Sequence, residues 1–307
     1  MANDIILHHY FNSPFSEKVR LQLAIKGLSW ASVVQPDVMP KPDLTPLTGG
    51  YRRIPVMQIG ADVFCDSAVI MAEIERRHPS PKTVHGVDWA ANWWADRTFF
   101  TPTVGIIFGS IADTVTPEFI ADREAMTGRP FDLAGMKAAI PPMKAQFRAI
   151  SGWLETQLSG GKDWVAGDAP GLADIAWYLN YWFLNSAQRA LMADLLSDLP
   201  RVLDWTARMR AIAKTRSFTE TPTAEAIAVA KAAEPESTAH LVHDAKDPTG
   251  LSPGAKVDVF GDDNPGDRIA GALVAATLER IVIAREDPRV GKVHVHFPRV
   301  GFTAAPV

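Results

Sequence analysis

Ile5-Ile6-Leu7-His8-His9-Tyr10-Phe11-Asn12-Ser13-Pro14-Phe15-Ser16-Glu17-Lys18-Val19-Arg20 changes character within a few residues. Ile5 to Tyr10 is compatible with a strand. Asn12-Ser13-Pro14 then supplies capping side chains, with proline at the first helical position, where its missing N–H leaves no bond unmade. The spacing predicts a helix from about Phe15 to Lys26, with Val19, Leu23 and Lys26 on one stripe and Gly27 placed for a left-handed end. Such a helix points its N-terminus at Ser13.

Working outward, a second strand is expected near Trp30 to Val34, followed by a connection rich in proline (Pro36, Pro40, Pro42, Pro46). Next come the run Ile54 to Ile59, a turn at Gly60-Ala61-Asp62, the run Val63-Phe64-Cys65 and a helix from about Ser67 to Arg77. The order is β-α-β-β-β-α over residues 1–80, with a break at the Pro-rich segment. Pro55 interrupts a strand-like run, where it removes a ladder donor and belongs at an edge or bulge.

From Trp89 the periodicity is helical, with segments expected at 88–112, 117–126, 136–159, 173–186, 188–196 and 200–213, so residues 86–233 read as an all-α domain. Turn chemistry at Gly128-Arg129-Pro130, Gly160-Gly161 and Gly167 to Gly171 separates them. After an Ala-rich helix near 222–233 and a linker at Glu234 to Ser237, the pattern changes again. Strands are expected at Ala255 to Phe260, Arg268 to Ala275, Glu279 to Arg285 and Val293 to Pro298, making residues 236–307 a small antiparallel β unit.

Composition excludes several functions. Net charge is −4 and there is no dense Lys/Arg run, so the electrostatic footprint of nucleic-acid binding is missing. No run of 18 apolar residues occurs and the N-terminus lacks a signal-peptide pattern, so neither membrane insertion nor export is expected. One cysteine, Cys65, leaves no intrachain disulfide or CxxC pair, which suits a reducing cytoplasm. His240-x-x-His243 and His294-Val295-His296 have metal-like spacing, but no cysteine or nearby carboxylate completes a set. Asp262 to Asp267 lacks calcium-loop spacing and reads as a polar turn. No metal site is assigned.

Taken together, Tyr10 to Arg20, Arg53-Ile54-Pro55-Val56 and Asp66-Ser67-Ala68-Val69-Ile70 resemble the N-terminal domain of the glutathione transferase superfamily. The serine at position 13 resembles its serine-type branches, including the zeta-like ones. The following all-α domain extends the resemblance to about residue 215, and the C-terminal β unit falls outside it. The resemblance implies a thioredoxin-like domain, then an all-α domain, with glutathione as co-substrate.

Particular residues acquire implied roles. A free thiol has a pKa of about 8.5, so the site must favour the thiolate. Ser13 is the candidate catalytic residue, donating to the sulfur, with a helix N-terminus adding its dipole. Ser16 is its rival. Pro55 is implied to be cis, leaving the Ile54 backbone to bond the cysteinyl portion. Asp66 and Ser67 would hold the amino and carboxylate groups of the γ-glutamyl end. Asp66 is one methylene shorter than the acid or amide usual there. Lys41 and Arg53 are candidates for the glycyl carboxylate.

A capping box is expected where Gly171-Leu172-Ala173-Asp174 stands, with glycine replacing the usual hydroxyl residue and Asp174 structural. Trp89, Trp93, Trp94, Phe99, Phe100 and Phe108 offer an aromatic wall for an apolar electrophile or, equally, core packing. The implied activity is conjugation of glutathione to small hydrophobic electrophiles, as in detoxification. Zeta-like glutathione-dependent isomerisation and a non-catalytic interaction protein are the alternatives. A homodimer in the cytoplasm is also implied.

Overall fold

A computed structural model describes residues 5–307. Strand β1 (Ile6–His9) leads into helix α1 (Pro14–Ile25), with Ser13 as its N-cap and Pro14 in the first turn. Strand β2 (Ser29–Val34) returns parallel to β1, setting Leu7 opposite Ser32 and His9 opposite Val34. A parallel return requires a crossover, and α1 provides it. The Pro-rich connection, expected only as a break, holds the single-turn helix α2 (Thr45–Thr48). The hairpin of β3 (Val56–Ile59) and β4 (Asp62–Cys65) and then helix α3 (Ser67–Arg77) complete a thioredoxin-like unit.

An all-α unit follows: α4 (Asp88–Trp94), α5 (Phe100–Ser110), α6 (Pro117–Thr127), α7 (Leu133–Gln157), α8 (Leu172–Ala187), α9 (Arg189–Leu195) and α10 (Pro200–Ala213). The first expected helix is split, because a π-helical turn at Ala95–Phe99 separates α4 from α5. Helix α8 is the hub, burying Leu172, Ile175, Leu179, Tyr181 and Leu184. At its start the Asp174 carboxylate accepts hydrogen bonds from the N–H of Gly171 (3.1 Å), the N–H of Val165 (2.9 Å) and Nε1–H of Trp205 (2.8 Å).

The chain then returns to the first sheet. Strand β5 (Ser217–Glu220) adds parallel to β2, and helix α11 (Thr223–Ala232) buries Ala226 and Ala230. Gln58 Nε2 donates to the Ala226 carbonyl at 2.9 Å, tying α11 to β3. Strands β6 (Lys256–Gly261), β7 (Asn264–Ala276), β8 (Arg280–Asp287), β9 (Gly291–Pro298) and β10 (Phe302–Pro306) form the antiparallel extension. It does not stand apart: β9 pairs parallel with β4, placing His294 opposite Asp62 and His296 opposite Phe64. One sheet results, in the order β10-β6-β7-β8-β9-β4-β3-β1-β2-β5.

The seam between the two halves is both apolar and polar. Val63 and Cys65 of β4 share a buried cluster with Val293, Val295 and Phe297 of β9. His296 stacks on Phe64 with ring centroids 4.4 Å apart, and its Nε2 lies 2.8 Å from Asp62 Oδ1. Across the same boundary Arg280 is paired with Glu73 of α3 at 2.9 Å. Arg76, Arg77 and Arg280 all reach that one carboxylate and hold its pKa well below the usual range despite its burial.

Candidate functional site

The sheet, α3, α4 and the extension enclose a cavity of about 760 Å³. The polar end is built where β3, β4 and α3 begin and end. Ile54, Pro55, Asp66 and Ser67 line it, and the Ile54-Pro55 peptide bond is cis. Among the described residues, the backbone N–H and C=O of Ile54 have no hydrogen-bond partner. Asp66 is the only non-glycine residue there with a positive φ, 93°. A side chain in that conformation costs about 1 to 3 kcal/mol and persists only where its surroundings enforce it. Its carboxylate accepts from the Ala68 N–H at 2.8 Å, capping α3, so Ser67 opens the helix facing the cavity.

Beneath Ser67 lies a charged group that sequence reasoning missed. Lys18 of α1 is wholly buried; its Nζ donates to both carboxylate oxygens of Asp96, at 2.6 and 2.8 Å, and lies 3.5 Å from Ser67 Oγ. Asp96 and Asn92 line the cavity, joined by a hydrogen bond of 3.2 Å from Asn92 Nδ2. Burial raises the Asp96 pKa, and Lys18 opposes that rise. Asn92 Oδ1 is buried with no partner. The available signal was spacing: two polar residues four apart on a helix otherwise rich in tryptophan share one face.

Of the aromatic series, Trp89, Trp93 and Phe100 line the cavity with Phe15. Phe99 is instead buried in the α core, Trp94 packs on Trp177 at 5.1 Å, and Phe108 packs on Phe119 and Phe131. The i+5 geometry of the π turn widens the helix by a residue there and re-phases its faces. The extension supplies the remaining wall with Leu278, Glu279, Arg280, Val300 and Phe302. Gly301 at φ 85° lies against Trp93, where an added Cβ would come within 2.8 Å of the ring. Arg97 lies over that ring at 3.8 Å and donates to Asp262 at 2.6 Å, clasping the extension to α4.

The remaining sequence candidates fall in other places. Arg53 lines the cavity but is bidentate to Asp263, at 2.8 Å to each oxygen, and sits over the rings of Tyr51 and Phe302. Ser13 is 1% exposed and is not part of the cavity lining; its Oγ accepts from the Ser16 N–H at 3.1 Å, and its hydroxyl also hydrogen-bonds the Tyr10 side chain. Ser16 Oγ is buried without a partner. Lys41 is also buried outside the cavity, in the neighbourhood of Asp122, Arg123 and Arg52. Burial pushes its pKa down to about 8, with Asp122 acting in the other direction. Among the described residues, no group of three or more His, Cys, Asp or Glu side chains is arranged to hold a metal, and no helix is long and apolar enough to cross a membrane. His243 Nδ1 instead accepts from the Ala276 N–H at 3.2 Å.

Comparison with known proteins bears on the fold that carries this cavity. Residues 7–82 match the family model described as glutathione S-transferase, N-terminal domain, and residues 106–217 match a domain model of unknown function. A GST-like protein from Pseudomonas syringae is similar over 100% of both chains, at 35% identity and a TM-score of 0.81. A glutathione S-transferase from Rhodospirillum rubrum F11 is 18% identical with a TM-score of 0.52, over 67% of this chain and 88% of its own. A Tau class glutathione S-transferase from mango, Mangifera indica, is 18% identical with a TM-score of 0.53, over 69% of this chain and 90% of its own. The search of curated proteins returns no match.

Proposed function

This chain belongs to the glutathione S-transferase-like family, and from that premise we propose that it binds glutathione in the cavity and transfers the thiolate to a small hydrophobic electrophile. The observation that carries the reading is Asp66, held at φ 93° beside Ser67 at the start of α3, across from the unpartnered backbone of Ile54. Strain of this kind is retained where a ligand uses it. In this reading the γ-glutamyl carboxylate takes the Ser67 hydroxyl and the N–H groups of the first α3 turn. Its ammonium group takes Asp66, with Asp96 and Asn92 Oδ1 nearby. The Ile54 N–H and C=O bond the cysteinyl portion. Arg53, which lines the cavity, meets the glycyl carboxylate and must then share its guanidinium with Asp263, whereas Lys41, buried outside the cavity, would first have to be uncovered.

Ser13 donates to the sulfur, and the N-terminus of α1 adds its dipole; a charge-assisted bond of this kind contributes about 1.5 to 3 kcal/mol, or one to two pKa units. The thiolate then attacks the electrophilic carbon and the leaving group departs with its electron pair. The burial of Ser13 outside the cavity lining favours one second reading, a protein that holds glutathione without activating it through this hydroxyl.

Two measurements separate these. Glutathione at about 100-fold over Kd should add about 2.7 kcal/mol of stability to the wild type, and much less to Ser67→Ala at the same concentration. No stabilisation of the wild type at millimolar glutathione sinks the binding reading. Turnover of a chloronitrobenzene acceptor should fall about 10- to 100-fold in Ser13→Ala with glutathione affinity largely kept. Full activity in that variant removes Ser13 from the mechanism.

A further inference from the structure

The extension carries two apolar side chains where folding has no use for them. Leu278, 81% exposed, sits at the tip of the β7-β8 hairpin, and Val300, 64% exposed, sits in the turn between β9 and β10. Turn tips ordinarily take Gly, Asn, Asp or Ser, whose backbone preferences or side-chain hydrogen bonds suit the bend. The two tips are tied together by the Arg299 N–H donating to the Glu279 carbonyl at 2.8 Å. Both side chains line the cavity, as does Trp93, itself 38% exposed. Single exposed apolar residues are ordinary, but three on the rim of one cavity form a patch with a purpose.

We infer that Leu278, Val300 and Trp93 form a rim that binds the apolar tail of the thiol-accepting substrate, which makes that substrate an electrophile with an extended hydrocarbon chain. The inference rests on the glutathione reading above and deepens it. The cavity is charged where Asp66, Asp96 and Ser67 meet; where the extension closes it, the apolar Leu278, Val300 and Phe302 stand beside Glu279 and beside two charges already paired, Arg280 with Glu73 and Asp263 with Arg53. A molecule matching both ends is charged at one terminus and hydrocarbon at the other, as a glutathione conjugate of a long-chain electrophile is. Small electrophiles would leave the rim uncovered. The extension thus becomes the specificity element of the site.

S-methyl-, S-butyl-, S-hexyl- and S-octylglutathione test this by calorimetry, with no need for turnover. Affinity for the wild type should rise about two- to fourfold with each methylene that reaches the rim. In Leu278→Ser/Val300→Ser, S-methylglutathione should bind as in the wild type while the gain beyond the shorter chains disappears. Both substitutions lie at exposed turn positions, so folding is expected to be kept, and a thermal melt verifies it. A chain-length slope that is flat in the wild type, or unchanged in the double variant, overturns the rim while leaving glutathione binding intact. A double variant that instead loses self-association at an unchanged slope assigns the patch to a second copy of the chain and also overturns the inference. Failure of every conjugate to bind, S-methylglutathione included, removes the glutathione reading itself.

Discussion

Lys18 sets the chemistry of the cavity floor without being exposed to it. A buried ammonium is tolerated only when its partner is close and correctly oriented, and Asp96 meets it with both oxygens at 2.6 and 2.8 Å. Removing one member of such a pair is far more damaging than removing both. Lys18→Met should therefore cost about 3 to 5 kcal/mol in urea unfolding, because Asp96 is left either charged with only Asn92 beside it or made to take up a proton. Lys18→Met/Asp96→Leu should recover most of that loss. A single variant within 1 kcal/mol of the wild type, on the order of an exposed pair, sinks the account. That Ile54, Pro55, Asp66 and Ser67 would lie together, as they do on the cavity wall, was legible in the sequence because one short segment of hairpin and helix start carries them all. Lys18, Asn92 and Asp96 were not, since they meet only when α1 and α4 pack together. Ser13 was legible as a cap, and its burial was not, because burial depends on what lies over the turn.

Elements differ in the same way. The helix after Ser13 and the one after Asp66 announce themselves by local capping, and the structure begins them at Pro14 and Ser67. Strand β5 is four residues, Ser217 to Glu220, all exposed, with no alternation to read; it is a strand because β2 offers a free edge. The junction of β4 with β9 is equally silent, since parallel partners so distant in sequence leave no turn between them. Local capping also makes a quantitative expectation for α8. Asp174→Ala strands three donors, the N–H groups of Val165 and Gly171 and the Trp205 indole, and should cost about 3 kcal/mol or more in chemical denaturation. Asp174→Asn, which keeps one acceptor oxygen, should cost less. Equal losses in the two variants would mean that those donors do not depend on the carboxylate.

At the scale of the whole molecule, one sheet runs through both halves and carries buried imidazoles on β1 and β9. His8 has Nε2 3.0 Å from Gln58 Oε1 and Nδ1 3.2 Å from Gln35 Nε2, an arrangement satisfied by the neutral ring. His9 Nδ1 faces the Arg20 guanidinium at 3.0 Å, which no imidazolium can tolerate as a donor. Burial pushes His8 down to about 4; burial and then Arg20 push His9 down to about 3. Burial also lowers His294 and His296, against the pull of Asp62. Below the unfolded pKa of about 6.5 the unfolded chain binds protons that the native sheet refuses, so stability falls as pH falls. Asp174, lifted to about 6 by burial, acts oppositely over part of that range, because there the native state is the one that takes up the proton. Burial raises Asp88, Asp96 and Asp267 too, in the same direction as Asp174, but each strongly lowered histidine contributes up to about 2 kcal/mol of loss between pH 6.5 and 5 and the sheet holds His8 and His9 together with His294 and His296. Urea unfolding at pH 7.5, 6.5 and 5 should therefore show a net loss of roughly 2 to 4 kcal/mol across the lower interval. His8→Gln should be less stable at neutral pH yet lose about 2 kcal/mol less on acidification, so the difference in slope, and not the stability itself, is the quantity to measure. A stability that is flat or rising from pH 6.5 to 5 would show that the imidazoles can take protons within the intact sheet.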